Sequence, residues 1–472
     1  MQDQANSGQF VSDEIEQTEQ AKKPLFIEGG EILRGEIELQ GAKNTALPAI
    51  AAALLIEGKT HINNLPEIDD IRTNLKIIER LGAKIEWTSP TDIIIDATNL
   101  LPHDLLPEET AKTTASKYFI PALINRFGSI RTGASGGDHI SDGDRYEFSH
   151  EMLKQYNAIG IEGRELTDKI YEFESSAKER HFQHLENRYL GTTIQVILNW
   201  AKGKKGQVFI LQNPSIEPEV FTIIDSLNAA GAKIRYDADG ALDGTDTLII
   251  KSQEALNDTN FDIPSDPNEL VSYAVFTLIT NGEVTINKID SSKKIDQFIK
   301  LLESLDADFT YNQEQRNLTI RPSLDRLKPV NLNTDFWPKG NCHTDWQEIL
   351  TPLLMKIEGE STIKENVYPQ RFGGIEALTK LGGNCELDYS LDEITRQKFL
   401  FDNQAHGLKI HGGNDFFSEQ ITMPEDIRGA TGVLAAALSA KGASVLSDSH
   451  HLNRGLGNLT QKLTSIGAKI KY

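Results

Sequence analysis

Basic residues precede apolar segments at several points in the sequence. Lys43 and Asn44 stand directly before the apolar run "TALPAIAAALL". Asn is a favoured N-cap, and a helix N-terminus offers free N–H groups and partial positive charge, so this pair predicts an anion site. The alternative, which the sequence leaves equally open, is a capped helix with a solvated lysine.

Three arginines have a similar placement. Arg371 in "VYPQRFGGIEAL" and Arg454 in "HHLNRGLGNLTQ" occupy matching loops at the start of a predicted helix, and Arg428 in "PEDIRGATGV" also stands near a helix start. Cations are usually found at helix C-termini, where the helix dipole favours them. Arginines at the opposite end therefore predict a bound anion that each of them faces. Surface arginines with acidic neighbours are the alternative interpretation.

Two segments carry carboxylates suited to acid–base chemistry. In "CHTDWQEILTPLLM", Asp345 stands where an N-cap belongs and Glu348 follows at capping-box spacing, so a structural cap and a catalytic role are both open. In "SGGDHISDGDRYE", Asp138 and its neighbours do not match the spacing of an EF-hand calcium loop, and His139, together with His150 just beyond the segment, forms no zinc-like array. We therefore expect no metal site there, and a solvated loop is the simplest interpretation.

These residues are embedded in an internal repeat. One ending recurs six times, at spacings of 74 to 85 residues, as "LGAKIEW", "YNAIGIE", "AGAKIRY", "LDADFTY", "LGGNCEL" and "IGAKIKY". Each repeat also has a Gly between an apolar run and a short alternating segment, which are the signals of a helix end and a strand. The first helix of most repeats is apolar on nearly every face, so we expect it to be buried. The predicted fold class is α/β, with six copies of one supersecondary unit and helices inside.

Composition limits the classes of function and partner. A length of 472 residues favours two domains of three repeats, with a seam in the polar segment Lys251–Asn268. No apolar run reaches the roughly 20 residues of a membrane span, and the net charge of -21 argues against nucleic-acid binding. Cys342 and Cys385 are too few for a disulfide framework, and the first 23 residues lack the pattern of a secretory signal. We therefore expect a cytoplasmic protein.

Five motifs, in this order and at these separations, together resemble the enolpyruvyl transferases: "GAKNTALP", "TDWQEIL", "VYPQRFGG", "EDIRGA" and "HLNRGLG". The resemblance covers residues 25–472. It implies an inside-out α/β barrel of two domains with three repeats each, in which the first strand joins the C-terminal domain. We accordingly expect a polar tail at residues 1–23, one domain from residues 24–43 and 262–472, and another from residues 44–261 that carries an acid-bearing loop at 133–147.

The resemblance also implies the substrates and the roles of individual residues. The donor would be phosphoenolpyruvate and the acceptor a UDP-sugar, namely the 3-hydroxyl of UDP-N-acetylglucosamine, in the first committed step of peptidoglycan precursor synthesis. Asp138 would be the acid, in place of the family's loop Cys, Asp345 would be the base, and Lys43 would hold the phosphate. The residues implied to bind substrate are Asn44, Arg145, His150, Arg371, Asp426, Arg428 and Arg454.

The implied chemistry explains why these residue types are needed. Protonation of the methylene carbon, attack by the acceptor hydroxyl and loss of phosphate require an acid, a base and fixed cations, so we expect no metal or organic cofactor. A free Asp has a pKa of about 3.9, so Asp138 must be raised by desolvation to act as an acid near neutral pH. Because fosfomycin alkylates the family's loop Cys, we expect this protein to resist it.

Some positions depart from the family's pattern. Thr114 and Pro267 each stand where the family usually has Arg, and the loop at 133–147 is longer than usual. These departures leave two alternatives open. One is an enolpyruvyl transferase with another nucleotide or nucleotide-sugar acceptor, and the other is a catalytically silent paralog that binds a nucleotide sugar. The sequence does not specify an oligomeric state.

Overall fold

The computed structural model describes residues 23–136, 153–167, 169–176, 182–238, 244–368, 370–390 and 404–472. The chain forms two compact units. Unit 1 contains the chain up to Leu39 together with Pro267–Asp335 and Gly340–Tyr472, and unit 2 contains Gln40–Asp266 and Phe336–Lys339. Within the described residues, no helix is both long enough and apolar enough to cross a membrane.

The α-helices whose two ends both lie within the described residues follow the repeat. They are α1 (Lys43–Ala53), α2 (Asp69–Arg80), α3 (Pro107–Thr110), α4 (Ser116–Phe127), α5 (Leu190–Trp200), α6 (Pro218–Ala229), α7 (Pro267–Ile279), α8 (Lys293–Ser304), α9 (Gln347–Lys356), α10 (Ile375–Lys380), α11 (Ile427–Ser439), α12 (His450–Asn453) and α13 (Leu459–Ser465).

The strands of the described residues are short. They are β1 (Leu25–Gly29), β2 (Arg34–Glu38), β3 (Lys59–Asn63), β4 (Lys84–Trp87), β5 (Ile93–Asp96), β6 (Ser129–Gly133), β7 (Ile161–Thr167), β8 (Ile170–Ser175), β9 (Phe182–His184), β10 (Val208–Gln212), β11 (Lys233–Asp237), β12 (Thr247–Lys251), β13 (Thr259–Asp262), β14 (Glu283–Asn287), β15 (Asp308–Asn312), β16 (Asn317–Arg321), β17 (Asn331–Asn333), β18 (Glu360–Lys364), β19 (Cys385–Asp388), β20 (Gly407–His411), β21 (Gln420–Thr422), β22 (Gly442–Ser447) and β23 (Lys469–Lys471).

The strands of the described residues form six sheets, one for each sequence repeat. Unit 1 contains the sheets β2-β14-β16-β15, β17-β18-β20-β19 and β21-β22-β1-β23, and unit 2 contains β13-β3-β5-β4, β6-β8-β7 and β9-β10-β12-β11. In every sheet, the strand that follows the first helix and its Gly pairs with a middle strand. The middle strand pairs on its other side with the strand that follows the second helix of the repeat, and this strand lies at the edge of the sheet. The N-terminal strand β1 supplies the middle strand between β22 and β23, with Ile27 opposite Ser444 and Ile470.

The six repeats share a left-handed residue between the second helix and the last strand. It is Gly in five repeats and Asp306, with φ of 59°, in the fourth; the glycines are Gly82, Gly160, Gly231, Gly382 and Gly467. A left-handed residue just past a helix end lets the following N–H groups bond the last free carbonyls of the helix. The "GAK" ending of the sequence repeat is therefore a helix stop followed by an edge strand.

The first helices of the repeats form the core of each unit. In unit 1, α7, α9 and α11 pack on one another, and every residue of α7 is buried. In unit 2, α1, α4 and α5 pack on one another in the same way. Helices that are apolar all round are stable only when they are buried, which explains why the sheets lie outside them. The predicted inside-out α/β fold is confirmed.

Candidate functional site

Unit 1 brings together an aspartate and two arginines from distant parts of the sequence. Asp345 precedes α9, Arg371 lies in the loop before α10, and Arg428 lies in the first turn of α11. Oδ1 of Asp345 is 2.9 Å from Nη1 of Arg371, and Oδ2 is 3.2 Å from Nη2 of Arg428. Asn268 on α7 also donates to Oδ2 of Asp345, over 3.3 Å. One loop and two helices therefore converge on the carboxylate of Asp345.

Asp345 is ionised by its surroundings. Its side chain is only 15% exposed. Burial opposes its charge, but the guanidinium groups of Arg428 and Arg371 outweigh burial and hold the pKa of Asp345 well below its usual range. Asp345 is thus a fixed negative charge in this arrangement, and it is a weak base as long as both arginines remain on it.

Arg371 is enclosed by acceptors. Its side chain is 4% exposed, and besides Asp345 it donates to Oγ1 of Thr344 over 3.2 Å and lies 3.6 Å through Nε from Oδ2 of Asp426. Tyr368 presents its ring 5.4 Å from the guanidinium carbon. Although burial disfavours its charge, Asp426 and Asp345 raise the pKa of Arg371. The predicted substrate arginine is therefore held by protein carboxylates in this structure.

Asp426 fixes the start of α11. Its Oδ1 accepts from the backbone N–H groups of Arg428, over 2.6 Å, and Gly429, over 3.2 Å, as an N-cap does. This cap sets the direction in which α11 leaves the site, and the side chain of Arg428 on its first turn reaches Asp345. Asp426 thereby positions Arg428 through the backbone of α11, and its second oxygen, Oδ2, faces Arg371.

Arg454 also lies in unit 1, but it does not lie at the start of a helix. It is the C-cap residue of α12 and is 8% exposed, whereas α13 begins at Leu459, so its predicted place at the start of the second helix is wrong. The following residue, Gly455, lies against α11, because a Cβ added there would be 3.7 Å from Nη1 of Arg428. The chain at Arg454 therefore passes beside the arginine of α11.

The predicted caps at Asp345 and Asn44 are also wrong. α9 begins at Gln347 with Trp346 at its N-cap position, and Asp345 binds arginines instead of capping it. α1 begins at Lys43, so Asn44 lies inside its first turn. Capping statistics reflect local competition for backbone N–H groups. They fail at Asp345 because charged partners that are distant in sequence compete for its carboxylate more strongly.

The sequence analysis did not identify two buried glutamates as residues of the site. Glu365, which is fully buried, accepts from Oγ1 of Thr344 over 3.0 Å and from the N–H groups of Val367 and Tyr368 over 2.8 and 2.9 Å. Glu348 on α9, which was predicted to complete a capping box, is 3% exposed and accepts from the N–H of Gly374 over 3.1 Å. Burial raises the pKa of both glutamates. Their signal in the sequence was weak, because Glu348 looks like an ordinary polar residue of a first helical turn and Glu365 like one at the end of a strand.

In unit 2, Lys43 is engaged by an internal ion pair. Its Nζ is 2.6 Å from Oδ2 of Asp70 on α2, with exposures of only 7% and 2% for the two side chains. Its backbone N–H donates to Oδ2 of Asp266 over 3.2 Å. The sequence analysis did not identify Asp70, which stands in the acidic first turn of α2. Lys43 is therefore a buried cation with a fixed position, not a solvated one.

The residues that lead into the acidic loop are anchored in unit 2. Ser135 and Ser116, the first residue of α4, share a hydrogen bond of 2.8 Å between their hydroxyls, and the N–H of Gly136 donates to the carbonyl of Thr110 over 2.8 Å. A Cβ on Gly136 would lie 1.8 Å from the carbonyl oxygen of Ala111, so only Gly fits there. The predictions for Asp138, Arg145 and His150 lie outside the described residues.

Comparison with known proteins identifies a family and sequence relatives of this chain. The family model described as EPSP synthase (3-phosphoshikimate 1-carboxyvinyltransferase) matches residues 27–141 and 191–463. The chain is 31% identical over 448 residues to the UDP-N-acetylglucosamine 1-carboxyvinyltransferase of Kosmotoga olearia, with 95% of this chain and 98% of the relative covered. It is 29% identical over 454 residues to UDP-N-acetylglucosamine 1-carboxyvinyltransferase 2 of Latilactobacillus sakei, with coverages of 95% and 99%.

Solved structures show the same fold. The enolpyruvyl transferase NikO from Streptomyces tendae superposes with a TM-score of 0.80 at 21% identity, covering 95% of this chain and 98% of that one. EPSP synthase from Acinetobacter baumannii superposes with a TM-score of 0.66 at 14% identity, with coverages of 95% and 100%. On the family match and the sequence relatives, this chain belongs to the EPSP synthase family and is an enolpyruvyl (1-carboxyvinyl) transferase.

Proposed function

We propose that this protein transfers the enolpyruvyl group of phosphoenolpyruvate to the 3-hydroxyl of UDP-N-acetylglucosamine and releases phosphate. The observation that carries this proposal is the similarity to UDP-N-acetylglucosamine 1-carboxyvinyltransferases over 95% of the chain. The reaction would begin the synthesis of peptidoglycan precursors, in the cytoplasm where its nucleotide-sugar substrate is made.

In the proposed mechanism, Asp345 removes the proton from the attacking hydroxyl. A carboxylate that is clamped by two arginines is a poor base, because its pKa is far below that of the proton it must take. The carboxylate and phosphate of phosphoenolpyruvate are the anions that suit Arg371 and Arg428. When these anions draw the guanidinium groups from Asp345, its pKa rises and it becomes a stronger base. Donor binding would then activate the base.

The remaining roles are proposed from the family's motifs. Asp138 protonates the methylene carbon of phosphoenolpyruvate, which gives C2 the positive character that the hydroxyl attacks. Lys43 and Arg145 hold the phosphate that leaves from the tetrahedral intermediate. Substrate contacts are completed by Asn44, His150, Asp426 and Arg454. The buried position of Lys43 supports its role, because a fixed and desolvated cation needs no reorganisation when phosphate develops charge.

A second acceptor is favoured by one specific observation. Thr114, between α3 and α4, and Pro267, at the first position of α7, stand where the family usually has arginines. Loss of two cations changes the acceptor side of the site more than the chemistry of the donor. The second candidate is therefore enolpyruvyl transfer to another nucleotide or nucleotide sugar.

Phosphate release from phosphoenolpyruvate distinguishes the two candidates. The purified protein would be incubated with phosphoenolpyruvate and either UDP-N-acetylglucosamine, UMP or no acceptor, and products would be identified by mass spectrometry. The first candidate predicts phosphate and an enolpyruvyl adduct with UDP-N-acetylglucosamine alone. Release with UMP but not with UDP-N-acetylglucosamine would replace it by the second candidate, and no release with either would contradict the proposed acceptors.

A further inference from the structure

Glu348 and Asp426 present two buried carboxyl groups to each other. Glu348 on α9 is 3% exposed and Asp426 at the start of α11 is 5% exposed. Both carboxyl groups lie at Gly429: a Cβ added to Gly429 would lie 3.0 Å from Oε1 of Glu348, and the N–H of Gly429 donates to Oδ1 of Asp426 over 3.2 Å. The two helices approach closely here, since a Cβ added to Gly432 of α11 would lie 2.3 Å from the carbonyl oxygen of Glu348. The close packing of α9 on α11 therefore keeps both carboxyl groups away from water.

One oxygen of each carboxyl group lacks a donor. Among the described residues, no N–H or O–H group donates a hydrogen bond to Oε2 of Glu348 or to Oδ2 of Asp426. Two ionised carboxylates side by side in a buried position would repel each other and leave both oxygens unsatisfied. A proton held by one of the two carboxyl groups removes the repulsion and provides a hydrogen-bond donor.

The two residues differ in how well they hold a negative charge. Asp426 accepts two backbone N–H groups at the N-terminus of a thirteen-residue helix and faces the guanidinium of Arg371. Glu348 accepts only the N–H of Gly374 through its other oxygen. The negative charge is therefore better placed on Asp426, and the proton on Glu348.

We propose that Glu348 is a neutral carboxylic acid that donates a hydrogen bond to Asp426 and so acts as a positioning residue for the arginines of the transferase site. The Asp426 carboxylate, which accepts this hydrogen bond, caps α11 and faces Arg371. The orientation of Asp426 therefore affects the positions of both Arg428 and Arg371. Burial and the Asp426 carboxylate raise the pKa of Glu348 well above its usual range, which supports this protonation state.

The charges around Glu348 determine what its ionisation would do. Asp426 and Arg371 act on Glu348 directly, and Asp345 and Glu365 also act on Arg371. Three of these groups are acidic, so loss of the Glu348 proton adds a further negative charge to a buried cluster. Arg371 would turn toward the new charge and away from the substrate, and activity would fall as pH rises.

Amide and methyl substitutions test the protonation state. Glu348→Gln keeps a donor toward Asp426 without a titratable proton, so its kcat at neutral pH is expected within about twofold of the wild type, and its alkaline loss of activity is expected to disappear. Glu348→Ala removes the donor, and its kcat is expected to fall about tenfold or more, with a smaller change in KM. Glu376→Gln, on the exposed face of α10, is the matched control and should leave the pH profile unchanged.

Infrared spectroscopy gives a readout that is independent of activity and therefore of the acceptor proposed above. At neutral pH the wild-type spectrum should contain the carbonyl stretch of a protonated carboxylic acid, and this band should be lost in Glu348→Gln but kept in Glu376→Gln. A wild-type spectrum without that band, or a Glu348→Gln variant that folds but loses activity as Glu348→Ala does, would overturn the proposal.

Discussion

Oδ1 of Asp345 lies 2.9 Å from Nη1 of Arg371, and this ion pair joins the proposed base to the proposed donor-binding arginine. The two residues are 26 positions apart in sequence, and Arg428, which binds the other oxygen, is 83 positions from Asp345. In the proposed mechanism, Asp345 and the anionic groups of the donor compete for the guanidinium groups of Arg371 and Arg428. The proposed strength of the base therefore depends on whether the donor site is occupied.

Removal of Arg371 should destabilise unit 1 strongly. Arg371→Ala removes the cation that the buried carboxylates of Asp345 and Asp426 share, and breaking a buried pair in this way typically costs about 3–5 kcal/mol. Urea unfolding measures the loss. Arg326→Ala is the control, because Arg326 and Asp308 form an exposed pair that should contribute about 0–1 kcal/mol. Equal losses for the two variants would contradict the buried-pair interpretation.

The stability of the protein should depend on Asp345 at acid pH. Its pKa in the folded state is below the value of 3.8 for an unperturbed Asp, so the folded protein binds fewer protons than the unfolded chain between these two pKa values. The stabilisation by Asp345 is fully present above pH 3.8 and is lost as pH falls toward the folded pKa. Asp345→Asn should flatten this acid limb by up to about 1.36 kcal/mol per pH unit in chemical unfolding curves. An unchanged limb would contradict the depressed pKa.

A double substitution separates the structural role of Lys43 from its chemical role. Lys43→Ala leaves Asp70 buried and unpaired, so it should lower both the free energy of unfolding and the activity. Lys43→Ala with Asp70→Asn removes the stranded charge and should regain much of the stability without regaining activity. Unfolding curves and phosphate release measure the two effects. Recovery of activity in the double variant would show that Lys43 serves only its ion pair.

Asp138 should be essential for turnover but not for acceptor binding. Asp138→Ala removes the proposed carbon acid, so phosphate release should be lost while calorimetric binding of the acceptor stays close to the wild-type value. Asp142→Ala is a matched control in the same loop and should keep turnover. Unchanged turnover in Asp138→Ala would remove this residue from the mechanism.

Fosfomycin should leave no stoichiometric adduct on this protein. The proposed acid is a carboxylate in place of a thiol, and Cys342, three residues before Asp345, is fully buried with its pKa raised by burial. Intact-mass spectrometry after incubation with fosfomycin checks this expectation. A single adduct that maps to Asp138 would contradict it.

The fold could be predicted from the sequence because local sequence signals mark the helices and strands of each repeat. Turn residues such as Gly82 and Gly467 stop helices through backbone conformation alone, and a helix that is apolar on nearly every face, such as α11, is buried. The same local rules predicted caps at Asn44 and Asp345 that the structure does not contain. What decides the position of Asp345 is the convergence of charges that are remote in sequence.

The proposed protonation of Glu348 could not be predicted from the sequence for the same reason. Its capping-box position was the visible signal, yet its chemistry depends on Asp426, which is brought beside it by the packing of α9 on α11. Lys43 was recognised as a candidate, but its partner Asp70 looked like one more acidic residue in a first turn. Motifs located the charged residues, and only packing showed which charges meet.

The most direct test of the account is product formation by the wild type and by Asp345→Asn, with phosphoenolpyruvate and UDP-N-acetylglucosamine as substrates. Asp325→Asn, an exposed aspartate of unit 1, is the matched control. Because a general base contributes about 10²–10⁴-fold, the wild type and the control should form the enolpyruvyl adduct at equal rates, and Asp345→Asn should be slower by that factor. Adduct formation by Asp345→Asn at the wild-type rate would contradict the account.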